Sequence, residues 1–308
     1  MRAITYSRYG GSDVLELTDL PTPKVGPDSV LVRVRAASVN PVDWKMRQGY
    51  LDQVMDVTFP AVPGWDVAGV VERVGLDTPE LSVGDEVYGY VRKDWVQGGT
   101  FAEYVAAPVR TLARKPARLS FEEAAAVPLA GLTAWQSIRR AGVTQGQIVL
   151  VHAAAGGVGQ FAVQIARALG ARVIGTASAG NHDHLRELGA EPVEYGDGLA
   201  DRVRALAPGG VDVVLDYGSD DLVATSRAVL APGGTVASIV DAKARDELGG
   251  HYVWVRPSST DLDELGALLE DGRVRVDVGQ VFELADAAAA HDASATGHTR
   301  GKIVVRVD

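Results

Sequence analysis

The residues with the clearest chemical potential run from an apolar stretch into a small-residue turn and then a helical pattern. Ile148-Val149-Leu150-Val151-His152 is apolar and rich in β-branched residues, Ala153 to Gly159 holds only Ala, Gly and Val, and Gln160 to Leu169 carries apolar residues at helical spacing. The turn reads Ala154-x-Gly156-x-x-Gly159, with Ala in place of a first glycine and with Gly157 and Val158 between the fixed positions. Small residues let the backbone approach a pyrophosphate, and N–H groups at a helix start supply positive potential for it. A second strand pattern follows from Ala171 to Ala177, the context a dinucleotide-binding turn requires. A structural turn with no ligand stays open at this point, because short glycine motifs also arise by chance.

Cofactor choice turns on the end of that second strand. An NAD-preferring site places Asp or Glu about 20 residues beyond the glycine turn, where it bonds the ribose hydroxyls. Here Gly175-Thr176-Ala177-Ser178-Ala179-Gly180-Asn181-His182 has no carboxylate before Asp183. Ser178 and Asn181 can donate to a 2′-phosphate, and His182 can add partial positive charge. Tyr195, expected to end the third strand, can reach the same phosphate or the adenosine, or simply pack. This pattern favours NADPH, although no Arg marks the phosphate position. Ser178 and Asn181 can equally cap the next helix, and the two roles are compatible.

Metal chemistry is not expected. The chain has no cysteine and six histidines, and no His stands beside a carboxylate in a familiar ligand spacing. His182 and His184 are two apart, which on a helix points them to different faces. His152 is expected to pack beside the turn.

The elements that must position these residues fall into three textures along 308 residues. From Met1 to about residue 120, short β-rich runs alternate with Gly/Pro turns: Ser29 to Ala37, Asp66 to Val74, Glu86 to Tyr90 and Phe101 to Ala106. An antiparallel, partly closed β domain is expected there. Residues 121–257 alternate strand and helix, with strands expected at Ile148 to His152, Arg172 to Thr176, Pro192 to Tyr195, Val211 to Asp216, Gly234 to Val240 and Tyr252 to Val255. That alternation implies βαβ crossovers and a parallel, doubly wound sheet, so the fold class is α/β. Residues 258–308 hold two helical segments and strands at Val276 to Phe282 and Lys302 to Val307, at least in part returning to the first domain. Asp241 to Gly250 reads as a closing lid or a disordered connector.

The net charge of −10 argues against nucleic acid or an anionic membrane as partner, because phosphate neutralisation needs clustered Lys and Arg. The apolar runs stop short of membrane-spanning length, and Met1 to Tyr6 reads as a strand rather than a signal peptide. A cytoplasmic protein is expected.

Taken together, several motifs resemble the zinc-independent, zeta-crystallin-like quinone oxidoreductase branch of the medium-chain dehydrogenase/reductase superfamily. They are Asn40-Pro41-Val42-Asp43 with Arg47-x-Gly49, Pro63-Gly64-Trp65-Asp66-Val67-Ala68-Gly69-Val70-Val71 and Val83 to Gly89. Gly98 to Tyr104, Leu129 to Trp135, the turn at Ala153 to Gly159 and the ending Gly297-His298-Thr299-Arg300-Gly301-Lys302 complete the set. Zinc enzymes of the superfamily carry Gly-His-Glu where this chain has Gly64-Trp65-Asp66. The resemblance implies a GroES-like β domain, a Rossmann domain, an active site in the cleft between them and a homodimer, often joined through the last Rossmann strand. It implies that Asn40 lies near the nicotinamide ribose and that Thr133 lies at the phosphate or nicotinamide side. Ser178, Asn181 and Tyr195 fall where the family holds the 2′-phosphate. The family usually has Lys or Arg in that patch, and Asn181 departs from this. Ser238 and Ile239 open a loop whose backbone faces the carboxamide, and Arg300 and Lys302 resemble a cofactor-proximal ending.

The implied reaction is NADPH-dependent hydride transfer to a quinone or an α,β-unsaturated carbonyl, in which the protein orients, dries and stabilises charge on the acceptor. Asn40 is the residue expected to fix cofactor and substrate geometry. Tyr50 is a candidate proton donor, with a wall role or water as alternatives. Asp43 and Arg47, four apart, are expected to form a structural ion pair on one helical face. Trp44, Trp65 and Trp254, with Tyr50, fall in cleft-lining segments and suit a flat apolar acceptor, although Trp residues are more often core. An NADPH-binding sensor or structural protein with little turnover is the alternative reading.

Overall fold

The computed structural model describes residues 1–297 and 299–307, so His298 of the ending motif lies outside the described residues. The chain divides into two compact units. The first comprises Met1–Leu129, Pro257–Glu270 and Val276–Asp308; the second comprises Ala130–Arg256 and Asp271–Arg275.

In chain order the strands are β1 (Arg2–Thr5), β2 (Glu16–Asp19), β3 (Ser29–Val39), β4 (Asp66–Val74), β5 (Glu86–Tyr90), β6 (Tyr104–Pro108), β7 (Leu112–Arg114), β8 (Ile148–Val151), β9 (Arg172–Thr176), β10 (Glu191–Val193), β11 (Val211–Asp216), β12 (Leu230–Ser238), β13 (His251–Tyr252), β14 (Val278–Glu283) and β15 (Lys302–Arg306). The helices are α1 (Pro41–Arg47), α2 (Phe121–Ala125), α3 (Pro128–Arg140), α4 (Gly159–Ala168), α5 (His182–Leu188), α6 (Leu199–Leu206), α7 (Leu222–Val229), α8 (Lys243–Asp246), α9 (Ser259–Glu270) and α10 (Ala287–Ala295).

The first unit is built on a sheet in the order β14-β15-β3-β4-β5-β7, with β6 also on β3, beside a β1-β2 hairpin. All its pairings are antiparallel except β14 with β15. β3 is the axis, a long run of Val, Ala and Leu buried at nearly every position. Val30, Val32 and Val34 share a core with Val67, Val71, Val105, Ile303 and Val305. Register aligns one polar row across this apolar sheet: Ser38 pairs with Asp66, and Asp66 with Tyr90. Ile303 pairs with Val39, so Lys302 stands opposite Asn40. The C-terminal strand thus completes the sheet of the first unit.

The second unit holds a six-stranded sheet in the order β10-β9-β8-β11-β12-β13, parallel throughout. Numbered within the unit this is 3-2-1-4-5-6, the Rossmann order. Leu150, Ile174, Val214 and Val236 bring the four central strands into one core with Val203, Leu222 and Val229 of the helices.

Several expected boundaries move. β6 begins at Tyr104 rather than Phe101, because Phe101 is a fully buried core side chain whose N–H goes to Pro63 O instead of a ladder. β10 ends at Val193, because the chain turns at Gly196 with φ 88°, so Tyr195 lies beyond the strand. β12 stops at Ser238, whose hydroxyl captures the N–H groups of Val240 and Asp241 and turns the chain. β13 is shorter and earlier than expected, at His251–Tyr252. Asp241 to Gly250 is not a structureless connector: it contains α8, and Ala244 is buried in the core of the unit.

Candidate functional site

In the second unit the turn after β8 is held from β9. Ala153 and Ala154 donate their N–H groups to Thr176 Oγ1 and Thr176 O, at 3.1 and 2.9 Å. Ala153 has φ 51°, the left-handed region costly for a residue with a Cβ, and the two bonds hold it there. A Cβ on Gly159 would lie 2.2 Å from Ala153 O, and one on Gly156 would lie 3.2 Å from the same oxygen. Only glycine at 159 lets α4 start this close to the turn. The N–H of Gln160 goes back to Gly156 O at 3.1 Å, and this end carries the positive pole of the helix. A cradle of Ala, Gly and Val at a helix N-terminus fits the pyrophosphate of a dinucleotide.

Beyond β9, Asn181 Nδ2 donates to Ser178 Oγ at 3.1 Å, and His182 Nε2 lies 3.3 Å from Ala177 O. The expected side-chain cap is not formed. Asn181 is the N-cap of α5 by position but makes no capping bond, since its amide is turned to Ser178. Tyr195 is an exposed loop residue.

The loop after β12 is set by a buried pair. Ser238 Oγ donates to Asp216 Oδ2 at 2.6 Å and accepts from Val240 N and Asp241 N at 3.1 and 2.9 Å. Asp216 Oδ1 accepts from Gly218 N, and Asp216 O accepts from Ile239 N. The Ser238 hydroxyl is therefore spent on shaping the loop that carries Ile239. Thr133, buried in α3, gives its carbonyl to Ser137 Oγ at 2.7 Å. His152 is buried, as expected, and desolvation pulls its pKa below the ordinary value with Asp216 opposing.

The first unit contains a buried polar cluster at the end of β3. Asn40 precedes α1 with Pro41 at the first helical position, and its N–H donates to Asp43 Oδ2 at 2.7 Å. Asn40 Nδ2 donates to Asp66 Oδ2 at 2.9 Å and more distantly to Ser38 O at 3.5 Å. Asn40 Oδ1 accepts from Lys302 Nζ, which also donates to Val39 O. Asp66 further accepts from Ser38 Oγ at 2.7 Å and Leu129 N at 2.8 Å, with Lys302 Nζ 4.0 Å away. Lys302, at 4% relative exposure, is the most exposed of Ser38, Asn40, Asp43, Asp66 and Lys302, so the whole cluster is withdrawn from water. Desolvation raises the pKa of Asp66 and lowers that of Lys302, and each partly restores the charged form of the other.

Asp43 and Arg47 do not pair with each other. Asp43 bonds Asn40, while Arg47 turns to Gly10 O and His291 Nδ1 and ties α1 to α10. A partly buried backbone carbonyl and a neutral imidazole take the place of the expected carboxylate. Burial and the neighbouring Arg47 charge push His291 down to about 3.

Trp44 and Tyr50 meet edge to face at 6.4 Å, with Tyr50 exposed. Trp65 is 5% exposed and packs on Tyr90 in the same manner, a core position. Trp254 is 38% exposed just after β13. Arg300 pairs with Asp277 at 3.5 Å. Asn40 and Lys302 are thus brought together, as are Ser178 with Asn181 and Trp44 with Tyr50. Sequence reasoning missed Ser38, Asp66 and Asp216 as site-building residues. The available signal was a carboxylate at the end of an apolar strand, at the head of Asp66-Val-Ala-Gly-Val-Val and at the tail of Val-Asp-Val-Val-Leu-Asp216.

Two family profiles match the chain: "Alcohol dehydrogenase GroES-like domain" over residues 26–117 and "Zinc-binding dehydrogenase" over residues 188–305. The chain is 36% identical over 315 residues to 2-methylene-furan-3-one reductase of Solanum lycopersicum, covering 99% of this chain and 79% of the relative. It is likewise 36% identical over 315 residues to the chloroplastic NADPH-dependent alkenal/one oxidoreductase of Arabidopsis thaliana, with the same coverage of 99% and 79%. The solved quinone oxidoreductase of Coxiella burnetii superposes with a TM-score of 0.87 at 34% identity, over 100% of this chain and 99% of that one. A GroES-like unit and a Rossmann unit with a dinucleotide turn define a medium-chain dehydrogenase/reductase. Within that superfamily the chain belongs to the quinone oxidoreductase family. Among the described residues, no group of three or more His, Cys, Asp or Glu is arranged to hold a metal ion, and no helix is long and apolar enough to cross a membrane.

Proposed function

We propose that this chain transfers a hydride from NADPH to a quinone or an α,β-unsaturated carbonyl. The observation that carries the reading is the turn after β8, where Ala153 at φ 51° and a Gly159 with no room for a Cβ open onto the N-terminus of α4. The uncharged end of β9, with Ser178 and Asn181 joined beside it, supports NADPH over NADH, since a carboxylate there would repel a 2′-phosphate. The names of the tomato and Arabidopsis relatives support the acceptor class.

When bound, the nicotinamide supplies the hydride. Gly156, Gly157, Val158 and Gly159 approach the pyrophosphate with backbone only, and Thr176 keeps the turn in shape. Asp216 and Ser238 fix the loop that presents Ile239 to the carboxamide, with Thr133 on the same ring's side. Asn40, its amide aligned by Lys302 and Asp66, offers its remaining Oδ1 lone pair to a ribose hydroxyl. Trp44, Trp254 and Tyr50 provide apolar surface for the acceptor, with Tyr50 or water as proton source, while Trp65 supports the wall from the core. Arg300 contributes positive charge near the cofactor. A cytoplasmic homodimer belongs to the same reading, with β13 at the sheet edge as the joining strand; light scattering on the purified protein checks it.

The test is NADPH oxidation with a small enone and an ortho-quinone side by side, with products identified. A saturated ketone or a hydroquinone formed in step with NADPH consumption supports the reading. Tight NADPH binding with neither acceptor reduced overturns it in favour of a binding protein.

A further inference from the structure

We propose that the Asn40–Asp43–Asp66–Lys302 cluster holds one exchangeable proton on Asp43, and that Asp43 is a positioning residue keeping the Asn40 amide aligned with Lys302 and Asp66. The argument begins with a charge count. Two carboxylates and one ammonium are withdrawn from water in the same place, so full ionisation leaves a net negative charge in the core. A buried uncompensated charge is among the most costly arrangements a protein can hold, and the usual escape is a proton.

The hydrogen bonds say which carboxylate takes it. Asp66 accepts from Ser38 Oγ, Asn40 Nδ2 and Leu129 N and has Lys302 Nζ at 4.0 Å, four partners that favour its ionised form against the desolvation that raises its pKa. Asp43 has Asn40 N on Oδ2, while its Oδ1 is buried and accepts from no described residue. The other titratable groups facing Asp43 do not neutralise it. Tyr6, just after β1, and Tyr90 on β5 are phenols that burial keeps protonated, and Arg47 is engaged with Gly10 and His291. Desolvation, with Asp66 adding to it and the Asn40 N–H and Lys302 opposing, pushes Asp43 up to about 7.

The consequence runs through Lys302. With Asp43 neutral, the ammonium serves one carboxylate, and Asn40 Oδ1 keeps its bond. With Asp43 ionised, a second carboxylate draws on the same ammonium, and the Asn40 amide loses the partner that fixes it. The role of Asn40 in catalysis rests on the proposed function; the proton and the alignment do not.

The test is an NMR titration of the whole chain without cofactor, with ¹³C-labelled aspartate carboxyls and ¹⁵N-labelled asparagine side chains, in wild type and D43N. The expected result is one aspartate carboxyl with a midpoint between about 6 and 8, absent in D43N. The Asn40 amide signal, identified by its loss in N40A, shifts through the same midpoint in wild type and is indifferent to pH in D43N. An absence of any aspartate titrating in that range in wild type overturns the proposal, whatever the fate of D43N. So does an Asn40 amide that stays still while Asp43 titrates. Failure to reduce either acceptor speaks against the proposed function and leaves this titration unaffected.

Discussion

The two buried polar constellations are built by opposite means. In the second unit the turn after β8 works by omission, since Gly159 has no room for a Cβ and backbone N–H groups provide the chemistry. In the first unit the cluster consists of side chains, and its shortest bond joins residues 262 positions apart, Asn40 and Lys302. A backbone site fails when something is added to it. A charge cluster fails when something is taken away, because the partner left behind is buried and unpaired.

The largest expected effect comes from taking away the ammonium. K302M leaves Asn40 Oδ1 without its donor and Asp66 without its nearby positive charge, and breaking a buried pair from one side costs about 3–5 kcal/mol, read as a lowered urea midpoint. The double variant D66N/K302M recovers part of that loss, because the orphaned charge is gone. A K302M protein as stable as wild type contradicts the description of the cluster as a mutually dependent set.

The next effect is a matter of pH. A carboxyl whose pKa is higher in the folded than in the unfolded state loses stability as pH rises between the two values. With Asp43 raised from 3.8 to about 7, wild type loses stability relative to D43N across that window, and the gap is constant above it. At 1.36 kcal/mol per unit the full gap is about 4 kcal/mol. Paired urea titrations at pH 4, 6 and 8 measure it, and curves that stay parallel remove the proton from Asp43.

Adding to the other site has a smaller effect. G159A forces a methyl to within 2.2 Å of Ala153 O, so the turn must shift, at roughly 1–3 kcal/mol. NADPH affinity is expected to fall about tenfold or more by fluorescence titration, with the first unit's titration behaviour unchanged. The smallest effect is N181D, which sets a carboxylate beside Ser178. It is expected to weaken NADPH by roughly tenfold, about 1.4 kcal/mol, with NADH little affected, and an equal effect on both cofactors would remove Asn181 from the 2′-phosphate patch.

The same contrast explains what the sequence made legible. The turn from His152 to Gly159 could be read directly because all its parts are contiguous. Strands β4, β5, β9 and β11 fall at the expected residues, each a short run rich in β-branched or aromatic residues. β10 departs from expectation because Gly196 breaks a run whose composition continues to Tyr195, and β13 because so few residues pair there. The cluster was visible only in fragments. Asn40 and Lys302 came from separate motifs, and Asp66 was read only as a departure from a zinc-enzyme pattern. What joins them is strand register, with Ser38 on Asp66 and Lys302 opposite Asn40, and no local pattern encodes it. Helical spacing joins Asp43 to Arg47 in the sequence; the capping bond from Asn40 N to Asp43 is just as local, whereas the pull of Gly10 O and His291 on Arg47 depends on the tertiary fold.

The most direct test of hydride transfer from NADPH uses cofactor deuterated at the transferring position of the nicotinamide, with a small enone as acceptor and mass analysis of the product. The account predicts NADPH consumption matched by a saturated ketone carrying one deuterium at the β-carbon. A saturated ketone without the label, or no NADPH consumption with either the enone or an ortho-quinone, would contradict it.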